Sequence, residues 1–525
     1  MFMFADIGRA TTPALLADVA QVAPQKPFII ADDGELTYAS AAATCAALAA
    51  GMTRFGLRPD DRVGILLPNG IRWCAALIGA HAAGLCAVPL NTWYRREELA
   101  AVARRARLRA VITQSTIFGF DAAAAVGDVD VVDYLGALEW PRDEPLPPAL
   151  TGQHLSADPV AALRNAPTGE SDDALLLFTS GSTAAPKAVR LRHGAMLRNA
   201  HAIGERQGIR PDDRFWFASP LFFVFGCANA LPNVLTHAAT LCVQERFDPA
   251  SALEFIERLR CTVYYGVAPV TRALAACEDL RKRDVSSLRT GSANATPEDL
   301  RIAIEVLGVD QVCNAYGMTE GYGHSAMTAC TDPADVRINS QGTPLPTQEL
   351  RIVAGDAVAQ VGVAGDIQIR GTITPGYLDT PATFDPNGWL ATGDTGLLDA
   401  EGRLHYLGRK DEMMKVKGVN ISPLEIETLL VQHDSVDEAF VFGLPNGDGD
   451  QRVGCVLVPP ASNGDHAQLG HDVRDWMRAR AASYKLPQTI LVVTVDQLPL
   501  TATGKVNKKV LKEQTQASLE HPRSS

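Results

Sequence analysis

The sequence predicts an α/β protein with a large N-terminal domain, residues 1–410, and a small α+β C-terminal domain, residues 411–525. A chain of 525 residues is too long for one hydrophobic core, so at least two domains are expected. Helical and strand patterns alternate over residues 36–115 and again over about 171–332, which indicates two helix-covered sheets. Residues 340–410 are rich in Gly, Thr and Val and predict a β-rich subdomain within the large domain.

The first α/β stretch gives the clearest local patterns. Residues 41–55 are Ala-rich and predict a helix, and residues 62–67 form a short apolar run that predicts a strand. A helix over 71–84 and a strand over 87–90 follow. Residues 140–170, rich in Pro, Ala and polar side chains, predict a long connection to the second stretch.

The C-terminal domain begins with a helix signature. Ser422 and Glu425 have the spacing of a capping box, with Pro at the first helical position. Strands are predicted over 439–442 and 454–458, and a helix over 471–482.

Composition limits the classes of partner. A formal net charge of −12 disfavours nucleic acid or an anionic membrane surface as the main partner, although a local basic cluster can still bind phosphates. The ten cysteines contain no CxxC pair, so we expect buried thiols in a reducing compartment rather than a zinc or disulfide framework. Residues 1–20 lack a signal-peptide pattern, and the longest apolar run, 75–90, is too short to span a bilayer. These features predict a soluble cytoplasmic protein.

The first segment whose residues could bind a ligand follows an apolar strand, residues 174–178. Backbone N–H groups and hydroxyls of a small-residue turn can surround phosphate oxygens, and a lysine adds positive charge. A plain surface loop is the alternative, and a proline before the lysine excludes a Walker A loop. The segment consists of Thr179, Ser180, Gly181, Ser182, Thr183, Ala184, Ala185, Pro186 and Lys187.

A second cluster runs from Asn314 to Glu320. Tyr316 offers an aromatic face that can stack on a nucleobase. The hydroxyl of Thr319 and the carboxylate of Glu320 can hold a phosphate oxygen and Mg²⁺. The alternative is a strand end followed by a surface glutamate.

A third cluster pairs Asp394, in a Thr-Gly-Asp turn, with Arg409. A carboxylate suits the two hydroxyls of a ribose, and a guanidinium suits ribose and phosphate oxygens. An ordinary turn is the alternative.

A fourth cluster is Lys505, which follows a Thr-Ala-Thr-Gly turn near the C-terminus. A lysine held on such a turn in a small domain can insert into a site on a larger one. The alternative is a solvated surface lysine.

Together these four clusters resemble, in order and separation, the motifs of the adenylate-forming superfamily of acyl-CoA ligases, peptide-synthetase adenylation domains and beetle luciferases. The resemblance covers nearly the whole chain and is closest in type to acyl-CoA ligases. It implies a soluble enzyme that uses ATP, Mg²⁺ and coenzyme A to convert a carboxylic acid to an acyl-AMP and then to a thioester.

The resemblance also implies roles for individual residues of the N-terminal domain. The segment from Thr179 to Lys187 looks like the loop that orients the β- and γ-phosphates. Tyr316 resembles the residue that stacks on adenine and Thr319 the α-phosphate ligand, whereas Glu320 and Thr183 resemble the Mg²⁺ ligands.

The remaining roles concern the ribose and the C-terminal domain. Asp394 resembles the ribose-binding aspartate and Arg409 the arginine that follows ribose and phosphate between catalytic states. Asp411 resembles the hinge on which the mobile C-terminal domain turns. Lys417 and Gly418 resemble the lining of the pantetheine tunnel, and Lys505 the catalytic lysine that bridges the α-phosphate and the carboxylate.

Two positions depart from the family pattern. Ala184 stands where Gly or Ser is usual, and Ala188 where Gly is usual. If position 184 needs a positive φ, alanine there would strain the loop, and the alternatives are then a different turn or weaker ATP binding.

The acyl pocket is predicted around Phe223, by position in the family. No acidic residue lies between residues 218 and 230, so an α-amino acid substrate is unexpected, and Phe223 favours an aromatic, cyclic or short acyl acid. A core position is the alternative for this ring. Further wall positions implied by the resemblance are Tyr265, Ser292, Ala293, Asn294 and Gly317.

Three other activities remain open at this point. A stand-alone adenylating enzyme that loads a phosphopantetheine carrier protein shares every motif and differs in the thiol acceptor. A catalytically silent binding protein is disfavoured by the intact Lys187, Glu320, Asp394, Arg409 and Lys505. A luciferase-like oxidation would share the motifs as well.

Overall fold

The computed structural model describes residues 10–127, 129–148, 156–179, 187–379, 384–416, 419–446, 451–460, 468–481, 483–501 and 506–520. The chain divides into two compact units. The first comprises Met1–Leu350, Ile369–Leu390 and Gly402–Leu404, and the second Arg351–Gln368, Ala391–Glu401 and His405–Ser525. The domain boundary expected near residue 410 stays a prediction.

Helices are distributed along both units. Within the described residues the α-helices are α1 (Thr12–Val22), α2 (Tyr38–Phe55), α3 (Ile71–Ala82), α4 (Arg96–Ala106), α5 (Ala122–Gly127), α6 (Pro159–Arg164), α7 (His193–Gln207), α8 (Leu231–Thr236), α9 (Pro249–Leu259), α10 (Ala268–Ala276), α11 (Pro297–Arg301), α12 (Ala334–Asn339), α13 (Pro423–Leu430), α14 (Leu469–Arg478) and α15 (Lys508–Glu520).

The strands alternate with these helices over the first 316 residues and dominate the region that follows. They are β1 (Pro27–Ala31), β2 (Gly34–Thr37), β3 (Arg62–Leu66), β4 (Cys86–Pro89), β5 (Leu108–Thr113), β6 (Thr116–Ile117), β7 (Phe120–Asp121), β8 (Gly136–Glu139), β9 (Asp173–Thr179), β10 (Lys187–Arg192), β11 (Arg214–Phe217), β12 (Thr240–Val243), β13 (Val263–Val267), β14 (Thr290–Asn294), β15 (Gln311–Tyr316), β16 (Ala326–Met327), β17 (Thr343–Pro344), β18 (Gln348–Ala354), β19 (Ala357–Val358), β20 (Gly365–Gly371), β21 (Leu390–Leu398), β22 (Leu404–Arg409), β23 (Met414–Val416), β24 (Val419–Ile421), β25 (Glu438–Pro445), β26 (Gln451–Val458) and β27 (Thr489–Val492).

A six-stranded sheet has the order β10-β9-β4-β3-β5-β8. Its strands are parallel except for β10, which pairs antiparallel with β9. Gly64 in β3 leaves room for the side chains above it, because a Cβ there would lie 2.9 Å from Leu90 Cδ1 and 3.0 Å from Leu108 Cδ1. The predicted helices and strands of this stretch are confirmed to within a few residues.

A nine-stranded sheet has the order β17-β16-β15-β14-β13-β11-β12-β1-β2. The strands from β15 to β1 in this order are parallel and mostly buried, as expected for a sheet covered by helices on both faces. Ligands of such sheets bind outside the carboxyl ends of the strands, and Tyr316 lies at that end of β15.

The two sheets do not divide where the sequence patterns suggested. Strands β9 and β10, from the second α/β stretch, complete the first sheet, whereas β1 and β2, from near the N-terminus, form the edge of the second. The expected connection over residues 140–170 also contains helix α6, which Asp158 caps by accepting a hydrogen bond from Ala161 N. Pro159 at the start of α6 shows why proline content alone does not distinguish a loop from a helix, since proline equally suits the first turn of a helix.

The β-rich region forms a five-stranded sheet, β19-β18-β20-β21-β22. The later part of the second unit has a three-stranded sheet, β25-β26-β27, over a core that α13 and α14 cover. The capping signature of α13 is half right: Ser422 accepts from Glu425 N at 3.4 Å, but the Glu425 carboxylate pairs with Lys485. A full positive charge is a stronger partner for that carboxylate than the single backbone N–H that a capping box offers.

Candidate active site

The predicted phosphate-binding segment connects two paired strands. Thr179 is the last residue of β9 and Lys187 the first of β10, and the two are opposite each other in the antiparallel ladder. The pairing places both ends of the segment together at the edge of the six-stranded sheet. Ser180, Gly181, Ser182, Thr183 and the departure at Ala184 lie outside the described residues.

Ala188, the second departure from the family pattern, fits its position well. It is fully buried in β10, and its carbonyl accepts a hydrogen bond from Leu378 N at 2.9 Å. The residue is in an extended strand, where alanine has no conformational cost of the kind a left-handed position imposes.

Tyr377 brings the first two predicted clusters together. The ammonium of Lys187 lies 5.2 Å from the centre of the Tyr377 ring, and the Tyr377 hydroxyl donates a hydrogen bond to Glu320 Oε1 at 3.0 Å. Burial and the Glu320 carboxylate raise the pKa of Tyr377 well above its usual value, so this hydroxyl keeps its proton. A backbone bridge between Val189 and Tyr377 fixes the tyrosine beside β10.

The carboxylate of Glu320 has the chemistry of a magnesium ligand. Only 6 % of the residue is exposed, and its backbone carbonyl accepts from Thr374 N at 2.7 Å. Carboxylate oxygens are the hard donors that Mg²⁺ prefers, and the hydrogen bond from Tyr377 uses one of the roughly four lone-pair sites of the group. The residue therefore fits the expected Mg²⁺ ion, whereas Thr183 lies outside the described residues.

Two buried amide side chains hold the loop that carries Glu320. Asn199 Nδ2 on α7 donates to the carbonyls of Tyr322 and His324 at 3.3 Å and 3.0 Å. Gln348 Nε2 donates to the carbonyls of Gly321 and His324 at 3.0 Å and 3.1 Å. The loop backbone, which forms no ladder hydrogen bonds of its own there, is fixed in one conformation by these amides.

The same loop depends on glycines. A Cβ at Gly317 would lie 2.0 Å from Gly323 O and 2.6 Å from His324 Cα, so a larger residue would break the loop. The structure shows that Gly317 permits this close backbone approach, whereas its expected place in the acyl pocket stays a prediction. Tyr322 has a φ of 59°, unusual for a tyrosine, and its hydroxyl accepts from Arg192 N at 3.0 Å.

The expected nucleotide ligands lie just before this loop turns and at the start of the turn. Tyr316 ends β15 and is 5 % exposed, and Thr319 begins the short 3₁₀ turn that contains Glu320 and is partly exposed. Three successive predictions, Tyr316, Thr319 and Glu320, therefore lie within one strand end and the turn after it.

Aromatic rings gather at the predicted acyl wall. The Phe222 and Phe223 ring centres are 4.5 Å apart, and Trp93 lies 5.6 Å from the first and 6.0 Å from the second. Phe222 is buried, whereas Phe223 keeps part of its surface exposed. Phe222 and Trp93 also line a cavity of about 440 Å³ together with Phe118 and Phe247.

A second group of packed side chains contains Tyr265 and Ser292, which are also predicted wall residues. Phe225 stacks on Tyr265 with ring centres 5.0 Å apart and lies 6.0 Å from His324. The His324 ring is hydrogen-bonded to Ser292 Oγ at 3.1 Å. Burial lowers the pKa of His324 to about 4, so the imidazole is neutral at neutral pH. Ala293 is fully buried in the adjacent strand, and the side chain of Asn294 lies outside the described residues.

Tyr265 is set behind Phe225 rather than at a free surface. Its hydroxyl accepts from Asn233 Nδ2 at 3.0 Å and lies 3.0 Å from Asn229 Oδ1 and 3.1 Å from Gln207 Oε1. Burial raises the pKa of Tyr265 well above its usual value. The tyrosine thus anchors the wall through an uncharged hydrogen-bond network.

The third cluster forms within the second unit. Arg409 Nη1 lies 3.0 Å from Asp394 Oδ1, and the side chain of Asp394 is 4 % exposed, against 49 % for Arg409. Gly393 and Asp394 lie within strand β21 and not in a turn, and the φ of 78° at Gly393 is one that glycine adopts without strain. Asp411 follows in an exposed turn, consistent with a hinge position that stays a prediction.

Three residues predicted for the two half-reactions lie outside the described part of the chain. They are Lys417, Gly418 and Lys505. Their roles stay predictions.

Sequence reasoning missed the positioning residues Tyr377, Asn199, Gln348 and His324. Tyr377 follows a Pro-Gly turn, a signal of backbone shape that carries no chemistry. The two amides lie on a helix and a strand far from the motif they support, so only the fold relates them to it.

Comparisons with known proteins agree with this arrangement. Residues 16–378 match the model of the AMP-binding enzyme family, and residues 425–505 match that of the AMP-binding enzyme C-terminal domain. The chain is 32 % identical over 518 residues to a methyl-dioxo-octahydroindenyl-propanoyl:CoA ligase of Mycobacterium tuberculosis, covering 96 % of this chain and 98 % of the relative. It is 30 % identical to the benzoate–CoA ligase of Thauera aromatica, covering 92 % of each.

The fold is shared with a solved ligase. The o-succinylbenzoate CoA synthetase of Bacillus subtilis, in complex with its acyl-adenylate intermediate, superposes with a TM-score of 0.81 at 25 % identity and covers 96 % of this chain and 98 % of that one. The chain belongs to the AMP-binding enzyme family. It is an ATP-dependent, AMP-forming acid–thiol ligase of the acyl-CoA ligase type.

Proposed function

We propose that the protein activates an aromatic or cyclic carboxylic acid as its acyl-AMP and transfers the acyl group to coenzyme A. The observation that carries the proposal is the arrangement of Lys187, Tyr377 and Glu320, which brings a phosphate-binding cation at the edge of the six-stranded sheet together with an oriented carboxylate just after β15 of the nine-stranded sheet. The aromatic wall beside Phe223 carries the choice of acid.

In the first half-reaction the substrate carboxylate attacks the α-phosphorus of ATP, and pyrophosphate leaves. Negative charge accumulates on the phosphate oxygens, so catalysis needs positive charge and hydrogen-bond donors placed in advance. Lys187 supplies one charge beside the phosphate segment. Mg²⁺, when held by Glu320, neutralises further charge on the phosphates.

Other residues bind and orient the nucleotide. Tyr316 stacks on the adenine, and the hydroxyl of Thr319 donates a hydrogen bond to the α-phosphate. Asp394 accepts the ribose hydroxyls and is itself oriented by Arg409. Lys505 completes adenylation by bridging the α-phosphate and the entering carboxylate, and Thr183 joins Glu320 at the metal.

In the second half-reaction the thiol attacks the acyl carbonyl, and AMP leaves. A thiol needs an approach path that ATP and the acid do not occupy. We propose that the C-terminal domain turns at Asp411, withdraws Lys505 and presents Lys417 and Gly418, which line the path of the pantetheine arm.

The uncharged character of the acyl wall supports an uncharged ring as the acyl group. Phe223 and Phe225 keep part of their surface exposed, and no acidic residue lies between residues 218 and 230. His324 is neutral and Tyr265 keeps its proton, so neither titratable group offers a charge to the substrate. Aromatic faces bury rings of similar shape favourably, whereas they offer no partner for an ammonium or a second carboxylate.

Coenzyme A is favoured over a carrier protein as the thiol acceptor by the named relatives, which are CoA ligases matching the chain over nearly its whole length.

A cytoplasmic location is supported by the ten cysteines, which are all free thiols and mostly buried. Among the residues described, no helix combines the length and apolar composition needed to cross a membrane.

The test is pyrophosphate release measured across a panel of carboxylic acids. The panel should contain benzoates, cinnamates, fused-ring propanoates, medium-chain fatty acids and α-amino acids, each with coenzyme A and with a phosphopantetheinylated carrier. We expect the highest kcat/KM for a ring-containing acid with coenzyme A. A preference for amino acids, or turnover that needs the carrier, would contradict the proposal.

A further inference from the structure

A cluster of metal-binding side chains lies away from the residues assigned above to nucleotide and acid. His201 and Glu205 are on α7, and His237 directly follows α8; one ligand atom from each lies within 4.8 Å of the other two. We propose that these three side chains bind one divalent transition-metal ion of the Zn²⁺ type.

His237 is oriented as a metal ligand would be. Its Nδ1 lies 3.0 Å from the carbonyl of Asn233, which can accept the ring proton. A proton on Nδ1 leaves the lone pair on Nε2, and this hydrogen bond to a backbone carbonyl is the usual support of a metal-bound histidine. Nε2 is buried without a hydrogen-bond partner and lies 3.5 Å from Glu205 Oε1, too far for a good hydrogen bond.

His201 and Glu205 are presented by consecutive turns of one helix. Residues four apart on an α-helix point in the same direction, so both side chains reach toward His237. Nδ1 of His201 is buried and also lacks a hydrogen-bond partner. The ring lies 4.9 Å from that of His237, with an angle of 21° between the planes. Without an ion, His201 Nδ1 would lose its hydrogen bond to water with no return, and His237 Nε2 would keep only the 3.5 Å contact with Glu205 Oε1.

The backbone of α7 is shaped for this approach. A Cβ at Gly204 would lie 2.1 Å from His237 Cε1 and 2.4 Å from Asn233 Oδ1. A glycine inside a helix destabilises it relative to alanine, so its presence there needs a packing reason. The reason is that the His237 ring lies directly against the helix.

The ligand set selects the class of metal. Two imidazoles and one carboxylate suit Zn²⁺ and its neighbours in the first transition series, whereas Mg²⁺ and Ca²⁺ prefer oxygen ligands alone. Tetrahedral Zn²⁺ would bring its ligand atoms to about 3.3 Å from one another. Glu205 has a side chain that is 66 % exposed, and rotation of this side chain and of His201 can close the remaining distance. A fourth position stays open to water on the exposed side.

The ion would tie α7 to the end of α8. Both helices contribute to the network that anchors Tyr265: Gln207 comes from α7 and Asn233 from α8. Binding is therefore expected to stabilise the fold of the first unit and to stiffen the acyl wall.

Cobalt titration tests the proposal directly. Tag-free, chelator-treated protein is titrated with Co²⁺ in the absence of ATP and Mg²⁺, and the visible absorption of coordinated cobalt is followed. We expect saturation at one equivalent, displacement by Zn²⁺ and a higher thermal-unfolding midpoint with Zn²⁺. The variants His201→Gln and Glu205→Gln should each weaken Co²⁺ binding by at least tenfold.

The matched control is His471→Gln, which removes an exposed histidine of α14. This variant should titrate as the wild type does. His201 and Glu205 contribute little core packing, and circular dichroism before titration checks that each variant is folded. Unchanged Co²⁺ affinity in both variants, an equal loss in His471→Gln, or no visible band at all would overturn the proposal.

Discussion

Replacing Tyr377 with phenylalanine removes one hydroxyl and leaves the ring in place. The ring contact with Lys187 is kept, since a phenylalanine face also attracts an ammonium. The hydrogen bond to Glu320 Oε1, 3.0 Å in the structure, is lost. The substitution therefore isolates how the hydroxyl positions the carboxylate that we expect to hold Mg²⁺.

The size of the effect follows from the kind of hydrogen bond. A bond to a charged group contributes about 1.5–3 kcal/mol, which corresponds to roughly 10- to 100-fold in a binding or rate constant. Loss of a hydrogen bond to a metal ligand has a similar effect, about 10- to 100-fold in metal affinity or activity. We expect Tyr377→Phe to raise the Mg²⁺ concentration at half-maximal activity by about tenfold and to leave the KM for the acid nearly unchanged.

The assay is acid-dependent ATP–pyrophosphate exchange, measured over a range of Mg²⁺ concentrations at fixed ATP. Tyr134→Phe is the control, because the Tyr134 hydroxyl also makes a part-buried hydrogen bond, donated to Val126 O at 2.6 Å, outside the site. The control should keep the wild-type Mg²⁺ dependence. If Tyr377→Phe kept it too, the positioning of Glu320 by Tyr377 would be refuted.

Three further predictions concern other parts of the chain. Phe223→Ala should change the preference among acids more than the KM for ATP, because removing the ring enlarges the acyl pocket. An unchanged substrate profile would show that Phe223 is an ordinary core residue. Lys505→Ala should slow acyl-AMP formation by roughly 100-fold and spare thioester formation from supplied acyl-AMP, whereas Gly418→Leu should do the reverse. Single-turnover assays of each half-reaction measure both effects. Equal loss in both steps would contradict the two-orientation mechanism. Burial lowers the pKa of His81 to about 4 from an ordinary 6.5, so the unfolded chain binds the extra proton and stability must fall as pH falls through this window. Between pH 6.5 and 5, the free energy of unfolding of His81→Gln in urea should fall by up to about 2 kcal/mol less than that of the wild type. Equal falls in the two proteins would disprove the prediction.

Much of the candidate site is already grouped in the sequence, because its residues are close together along the chain. Tyr316, Thr319 and Glu320 occupy one strand end and turn, and Thr179 and Lys187 flank one short segment, so their order along the chain already indicates shared chemistry. The pairing of Asp394 with Arg409 needed only two adjacent strands of one sheet.

The supporting residues could not be predicted in this way. Asn199 reaches carbonyls more than 120 positions away, and Tyr377 contacts Glu320 across 57 positions. An asparagine or a tyrosine has no periodic or spacing signal, and its partners are decided by which elements the fold places beside it.

The sequence by itself determined the fold class, the order of the elements and the family, because hydrophobic period, turn residues and motif order are local properties. Only the tertiary structure decided which strands share a sheet. Strands β9 and β10 joined the earlier sheet and β1 joined the later one, since strand pairing is chosen by the burial of whole faces and not by nearness in sequence. The same long-range packing brought His201, Glu205 and His237 together, a grouping that no spacing in the chain foretells.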